Sequence, residues 1–126
     1  MEAKELINNL MIGDWFRGPD PTPIRITRID SRGMLVENQD TDEVGLEDLQ
    51  PIPLTEEILL KNGFEYNEDF EEYLISIYKN VFSFGYDSED DFYYFGSWIR
   101  FYHVHELQNL LRLCGLTELV DDFKIE

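Results

Sequence analysis

Covalent bracing is absent from this chain: it has one cysteine, Cys114, so no internal disulfide can form. Cys114 ends the apolar run Leu110, Leu111, Leu113, Cys114, a setting that predicts a buried, inert thiol. Basic residues are scarce as well. Lys plus Arg total 10 against 27 Asp plus Glu, a formal net charge of −17. The imbalance runs through the whole chain, with 11 acids and 5 bases in residues 1–50 and 16 and 5 in residues 51–126. Such a surface repels phosphate backbones and anionic lipid, so direct nucleic-acid or membrane binding is not expected. No stretch approaches the roughly 18 apolar residues that a membrane span needs. Residues 1–10, with Glu2 and Glu5 beside Lys4, do not read as a signal peptide. A cytoplasmic protein is the expectation.

Catalytic signatures are missing too. There is no G-x-S-x-G elbow, no P-loop and no dinucleotide fingerprint. The only two histidines stand in His103-Val104-His105-Glu106, the one cluster of metal-ligand type. Alternate histidines share a face of a strand, but this segment sits where a strand hands over to a helix. Helical ligands want spacings of three or four, and no further His or Cys completes a set. A histidine bonded at a helix start is the favoured reading. Asp87, Glu89, Asp90 and Asp91 form an acidic loop without the central Gly and closing Glu of a calcium loop, and read as a solvated turn. Neither catalytic nor metal residues are assigned, and no cofactor is expected.

What is present is a globular composition, 43% hydrophobic with nine Phe, seven Tyr and two Trp. A chain of 126 residues makes one compact domain or two small lobes. The pattern predicts an α+β fold. Residues 2–10 read as a short helix, and residues 12–16 open a strand in which Trp15 is core. A proline-rich loop over 18–23 follows, then an alternating strand over 24–30, a turn at 31–33 and a return strand at 34–37. With a short strand at 44–46 and a helical turn at 46–49, residues 11–53 suggest a small SH3-like barrel or a bent meander. Two lobes result, 1–53 and 54–126, unless they share one continuous core.

Pro51-Ile52-Pro53-Leu54 is a stiff connector. Thr55 is a good N-cap, Glu56 and Glu57 face the helix dipole, and Asn62-Gly63 ends the helix. Residues 73–78, 81–84, 92–95 and 98–102 predict an antiparallel aromatic meander, on enrichment in aromatic and β-branched residues. Val104, Leu107, Leu110, Leu111 and Cys114 fall on one helix face, with Gly115 as the stop. An acidic tail of short helix or coil closes the chain. No internal repeat is evident. Outward-facing aromatics of the meander, Tyr93, Tyr94, Trp98 and Tyr102, together with Asp87, Glu89, Asp90 and Asp91, form the candidate interaction surface, because Tyr and Trp favour interfaces.

Ile12-Gly13-Asp14-Trp15, the stretch from Leu46-Glu47-Asp48-Leu49-Gln50-Pro51 through Lys61-Asn62-Gly63-Phe64, and His105-Glu106-Leu107-Gln108-Asn109 occur in this order. The set resembles a family of small uncharacterised proteins of Bacteroidetes and of their phages and mobile elements. The resemblance implies a bacterial or phage setting and carries no activity, substrate or cofactor. The leading functional expectation is a non-enzymatic protein-interaction module with a strongly acidic surface and a protein partner, basic if charge selects it. The alternatives are an acidic nucleic-acid mimic that inhibits a DNA-binding protein, and a small metal-dependent hydrolase centred on His103, His105 and Glu106.

Overall fold

The computed structural model describes residues 11–18, 22–30, 33–35 and 49–126. Two antiparallel sheets and a buried helix organise them, the α+β arrangement expected from the pattern. β1 (Trp15–Arg17) is the centre of a three-stranded sheet, flanked by β2 (Pro23–Arg25) and β5 (Gln50–Pro51), while β3 (Arg28–Asp30) and β4 (Gly33–Leu35) pair as a separate hairpin. Among the described residues neither sheet closes on itself, so the SH3-like barrel does not appear. Residues 2–10, the strand at 44–46 and the helical turn at 46–48 lie outside the described residues.

The larger sheet is a simple meander in the order β10-β9-β8-β7-β6. Its strands are β6 (Glu65–Asn67), β7 (Glu72–Ile77), β8 (Asn80–Asp87), β9 (Phe92–Phe95) and β10 (Ile99–Phe101). Alternation puts Tyr73, Phe82, Phe84, Tyr93 and Phe101 on one face, where they join Leu59, Leu107, Leu110 and Leu111 in a single apolar cluster. The second cluster is small: Phe16, Ile24 and Ile26.

Residues 50–54 tie the two sheets together. After β5 pairs with β1, Pro53 bridges His103, Leu54 N donates to Tyr102 O at 2.9 Å, and Val104 N donates to Ile52 O at 2.9 Å. The stiff connector is therefore an irregular strand. Ile52 and Leu54 face the core, and the two prolines occupy the alternate positions, where no ladder N–H is required.

α1 (Glu56–Lys61) begins as its sequence predicts: Thr55 Oγ1 accepts from Ile58 N at 3.2 Å. Thr55→Ala is expected to cost about 1 kcal/mol and Thr55→Gly only a few tenths, measured by urea denaturation. Asn62 does more than end the helix. Its Nδ2 donates to Ile58 O and to Lys124 O, both at 2.8 Å, and its Oδ1 accepts from Lys124 N, so it clamps the C-terminal segment.

α2 (Val104–Leu113) differs from a one-faced amphipathic helix. Its apolar face meets the sheet, yet His105, Glu106, Gln108 and Asn109 are buried as well, because the first sheet covers the polar side. Cys114, expected to be buried, is exposed past the end of this helix. What partial burial it has pushes its thiol up, away from nucleophilic reactivity. α3 (Thr117–Asp121) follows, and among the described residues no helix is long and apolar enough to cross a membrane.

Although no internal repeat is expected from the sequence pattern, the meander contains one with a twenty-residue offset. Phe64, Tyr66, Asn67, Asp69, Glu71 and Tyr73 recur twenty positions on as Phe84, Tyr86, Asp87, Glu89, Asp91 and Tyr93. The hairpins β6–β7 and β8–β9 are equivalent in register, Tyr66 opposite Tyr73 and Tyr86 opposite Tyr93, each ring pair 4.9 Å apart. Asn67 Oδ1 accepts from Asp69 N and Phe70 N, as Asp87 Oδ1 does from Glu89 N and Asp90 N. Each turn closes on a left-handed residue, Glu71 at φ 51° and Asp91 at φ 54°.

Candidate functional site

Two regions gather the polar chemistry: the seam between the first sheet and α2, and the two ends of the meander. At the seam the segment Ile12–Trp15 and the helix segment His105–Arg112 meet in space. Gln108 is the pivot. Its Oε1 accepts from Trp15 N and its Nε2 donates to Gly13 O, both at 2.9 Å. Asp14 is fully buried; its Oδ2 accepts from Met11 N at 2.9 Å and its Oδ1 pairs with Arg112 Nη1. Arg112 also donates to Asn109 Oδ1 and, through Nη2, to Ile12 O at 2.9 Å. Burial pushes the Asp14 carboxyl up, against the pull of Arg112.

Gly13 is required here twice over. It sits at φ +96°, and a Cβ would come 3.0 Å from Arg112 Nη2. Arg25 closes the other side, donating to Gly13 O, Val120 O and Asp121 O, while Trp15 Nε1 donates to Phe123 O. Every polar group named in this network has a partner, so its chemistry is that of a lock between chain segments.

His103 and Glu106 meet at the start of α2. One carboxylate oxygen, Glu106 Oε1, accepts from Tyr102 N at 3.2 Å and His103 N at 3.1 Å, and lies 2.7 Å from His103 Nδ1. This is a carboxylate reaching back over the first turn, the returning half of a capping box. His105 stacks on Phe16 with centroids 4.6 Å apart and on His103 at 5.9 Å, and its Nδ1 is buried without a hydrogen-bond partner. Burial, and secondarily His103, lowers its pKa to about 4. Among the described residues no three His, Cys, Asp or Glu side chains converge as metal ligands.

The meander divides the candidate interaction surface. Tyr93 does not belong on it: the residue is 5% exposed, stacks on Phe101 and donates Oη to Leu54 O at 3.2 Å. Burial drives its phenol pKa far up, and that of its repeat-mate Tyr73 up to about 12. Tyr94 lies across Gly85, whose missing Cβ makes room for the ring. Tyr102 is half exposed beside Phe92, which Arg100 covers at 4.5 Å.

Asp87, Glu89, Asp90 and Asp91 occupy the β8–β9 turn, where Asp91 Oδ1 accepts from Tyr86 Oη at 2.7 Å. Trp98 is at the opposite end, in the β9–β10 turn, so the sequence-level patch does not form one surface. The missed residues complete both ends. Glu68, Asp69, Glu71 and Glu72 sit at the equivalent β6–β7 turn, about two strand spacings, or roughly 10 Å, from Asp87–Asp91. Phe70, 70% exposed, stands among them. Tyr78 joins Trp98 at the far end. The twenty-residue repeat was the signal that pairs these acidic turns.

No family model, no curated protein and no solved structure matches this chain.

Proposed function

We propose that this protein is a non-enzymatic protein-interaction module that holds a basic partner at the acidic end of its meander. One observation carries the reading: Phe70 projects from a turn position that the core does not use, among the carboxylates of two equivalent turns that hold no Lys or Arg. Phe70 stands outside both core clusters, and an apolar anchor inside a charged rim is the common anatomy of a binding hot spot. The carboxylates would supply steering and selectivity for a basic surface more than affinity. The hydrolase reading draws less support, because Glu106 Oε1 already accepts from two backbone N–H groups and lies against His103 Nδ1 as a helix cap. The resemblance adds a bacterial or phage cytoplasmic setting.

The test is affinity capture from a bacterial host lysate with the wild type and with Phe70→Ser, at low and moderate salt. The expected result is one stoichiometric partner, retained by the wild type, released by salt and lost by more than tenfold on Phe70→Ser. Since Phe70 lies outside the core, the variant is expected to unfold at the wild-type urea midpoint. Equal retention by both proteins, or no specific partner, would sink the reading. Displacement of the partner by double-stranded DNA would assign it to nucleic-acid mimicry.

A further inference from the structure

Among the described residues, the buried side chains that titrate in acid are Asp14, His105 and Glu106, and all three lie at the seam or in the first turn of α2. The buried titratable groups of the meander are the phenols of Tyr73 and Tyr93, which burial drives up and which stay neutral throughout the acid range. Acid therefore acts on the seam and leaves the core of the meander alone. His105 is 8% exposed, and its ring stacks on Phe16 of β1 at 4.6 Å. An imidazolium carries two N–H donors, and among the described residues no acceptor reaches Nδ1. The closed seam thus admits this ring only in its neutral form. Phe16 packs in the small cluster with Ile24 and Ile26, so little apolar burial opposes its departure from the ring.

We infer that protonation of His105 in mild acid releases the first sheet from α2 while the meander stays folded, a pH-operated flap over the polar side of that helix. At neutral pH the flap is held by Gln108 on Trp15 N and Gly13 O, by Arg25 on Val120 O and Asp121 O, and by the Asp14–Arg112 pair. Around the ring, β1 presents the uncharged Phe16, and the segment before α2 presents His103, stacked at 5.9 Å. A positive charge on His103 repels one on His105 and so favours release. Glu106, the next helix residue, is turned back to Tyr102 N and His103 N. Farther along the seam Asp14 works in the opposite direction. Burial holds its carboxyl above 3.8 while the seam is closed, so its protonation favours closure. For His105 the closed value is about 4, against 6.5 once freed. The open-to-closed ratio is then flat above pH 6.5, rises about tenfold for each pH unit below it, and levels off near 4.

Hydrogen exchange of the full chain at pH 7.5 and 5.5, read by mass spectrometry with times scaled for the intrinsic pH dependence of exchange, tests this. The expected result is a loss of protection of about tenfold at pH 5.5 in residues 13–17 and 22–26, with β7 to β9 unchanged. His105→Phe keeps the stack and abolishes the loss. Arg112→Met combined with Asp14→Asn retains it, because His105 is left in place. Equal wild-type protection at both pH values overturns the inference, as does an equal loss in His105→Phe. A loss spread evenly over the meander overturns it too, since acid would then be melting the whole fold. A reading that needs no variant comes from nuclear magnetic resonance of the wild type. The His105 ring signal is expected to titrate together with the indole N–H of Trp15, which donates to Phe123 O in the closed seam. Titration of His105 with an unmoved Trp15 signal would put the proton inside a closed seam and end the proposal.

Discussion

Arg112→Ala is expected to lower stability by about 3–5 kcal/mol at neutral pH, the range for leaving a buried charge without its partner. The side chain donates to Asp14 Oδ1, Asn109 Oδ1 and Ile12 O, and Asp14 is fully buried. A typical point substitution costs about 1 kcal/mol, well below this range, so the charge term decides the outcome. The pH dependence separates the two. Burial already holds the Asp14 carboxyl above its ordinary value of 3.8, and removing Arg112 raises it further. The folded variant therefore keeps a proton that the unfolded chain releases above that value. Stability then falls as pH rises through the window from 3.8 to the folded pKa, so the deficit is largest at neutral pH and shrinks in acid. Urea denaturation at pH 4 and pH 7.5 measures this. Arg112→Met combined with Asp14→Asn, which removes both charges, is expected to recover most of the loss. A deficit equal at both pH values would show that packing, not the charge, holds the seam.

His105→Phe is expected to make the protein more resistant to acid. The imidazole stacks on Phe16, Nδ1 has no partner, and burial followed by the nearby His103 lowers its pKa to about 4 from 6.5. Between those values the unfolded chain takes up a proton that the folded one refuses. Stability is thus fully present above pH 6.5 and is lost as pH falls toward 4. The shift corresponds to about 3 kcal/mol by pH 4, at about 1.4 kcal/mol per pH unit. Phenylalanine preserves the stack on Phe16 and removes the orphaned nitrogen. The difference in unfolding free energy between variant and wild type, from urea curves at pH 7.5, 5.5 and 4.5, is expected to grow steadily in the variant's favour as pH falls. Parallel profiles would show that another group controls the acid limb. His103, whose ring lies 5.9 Å from this one, is retained in the variant, so the titration removed is that of His105.

The two expectations share a lesson about segments that lie far apart in the chain. Ile12-Gly13-Asp14-Trp15 and His105 to Arg112 show no role when read singly, yet they form the two sides of one lock. Nothing local in either segment names the other. Gln108 lies 93 positions from Trp15, and its amide makes sense only when both segments are in place.

Local chemistry was legible wherever one element carries its own signal. Thr55 capping α1, Asn62-Gly63 ending it, and the aromatic strands of the meander follow from short-range sterics and hydrogen bonding, and they appear as the sequence predicts. Burial was not legible where a second layer decides it. α2 seemed to have one apolar face, but the first sheet covers its polar side, and Cys114 falls beyond that cover. Tyr93 and Tyr94 are neighbours of the same type, and only strand register turns one into the core and lays the other over Gly85. Spacing and caps act within a few residues and are written in the sequence; which carboxylates share an end, which aromatics stand free and which charges are paired depend on contacts across the chain, and the tertiary structure alone decided those.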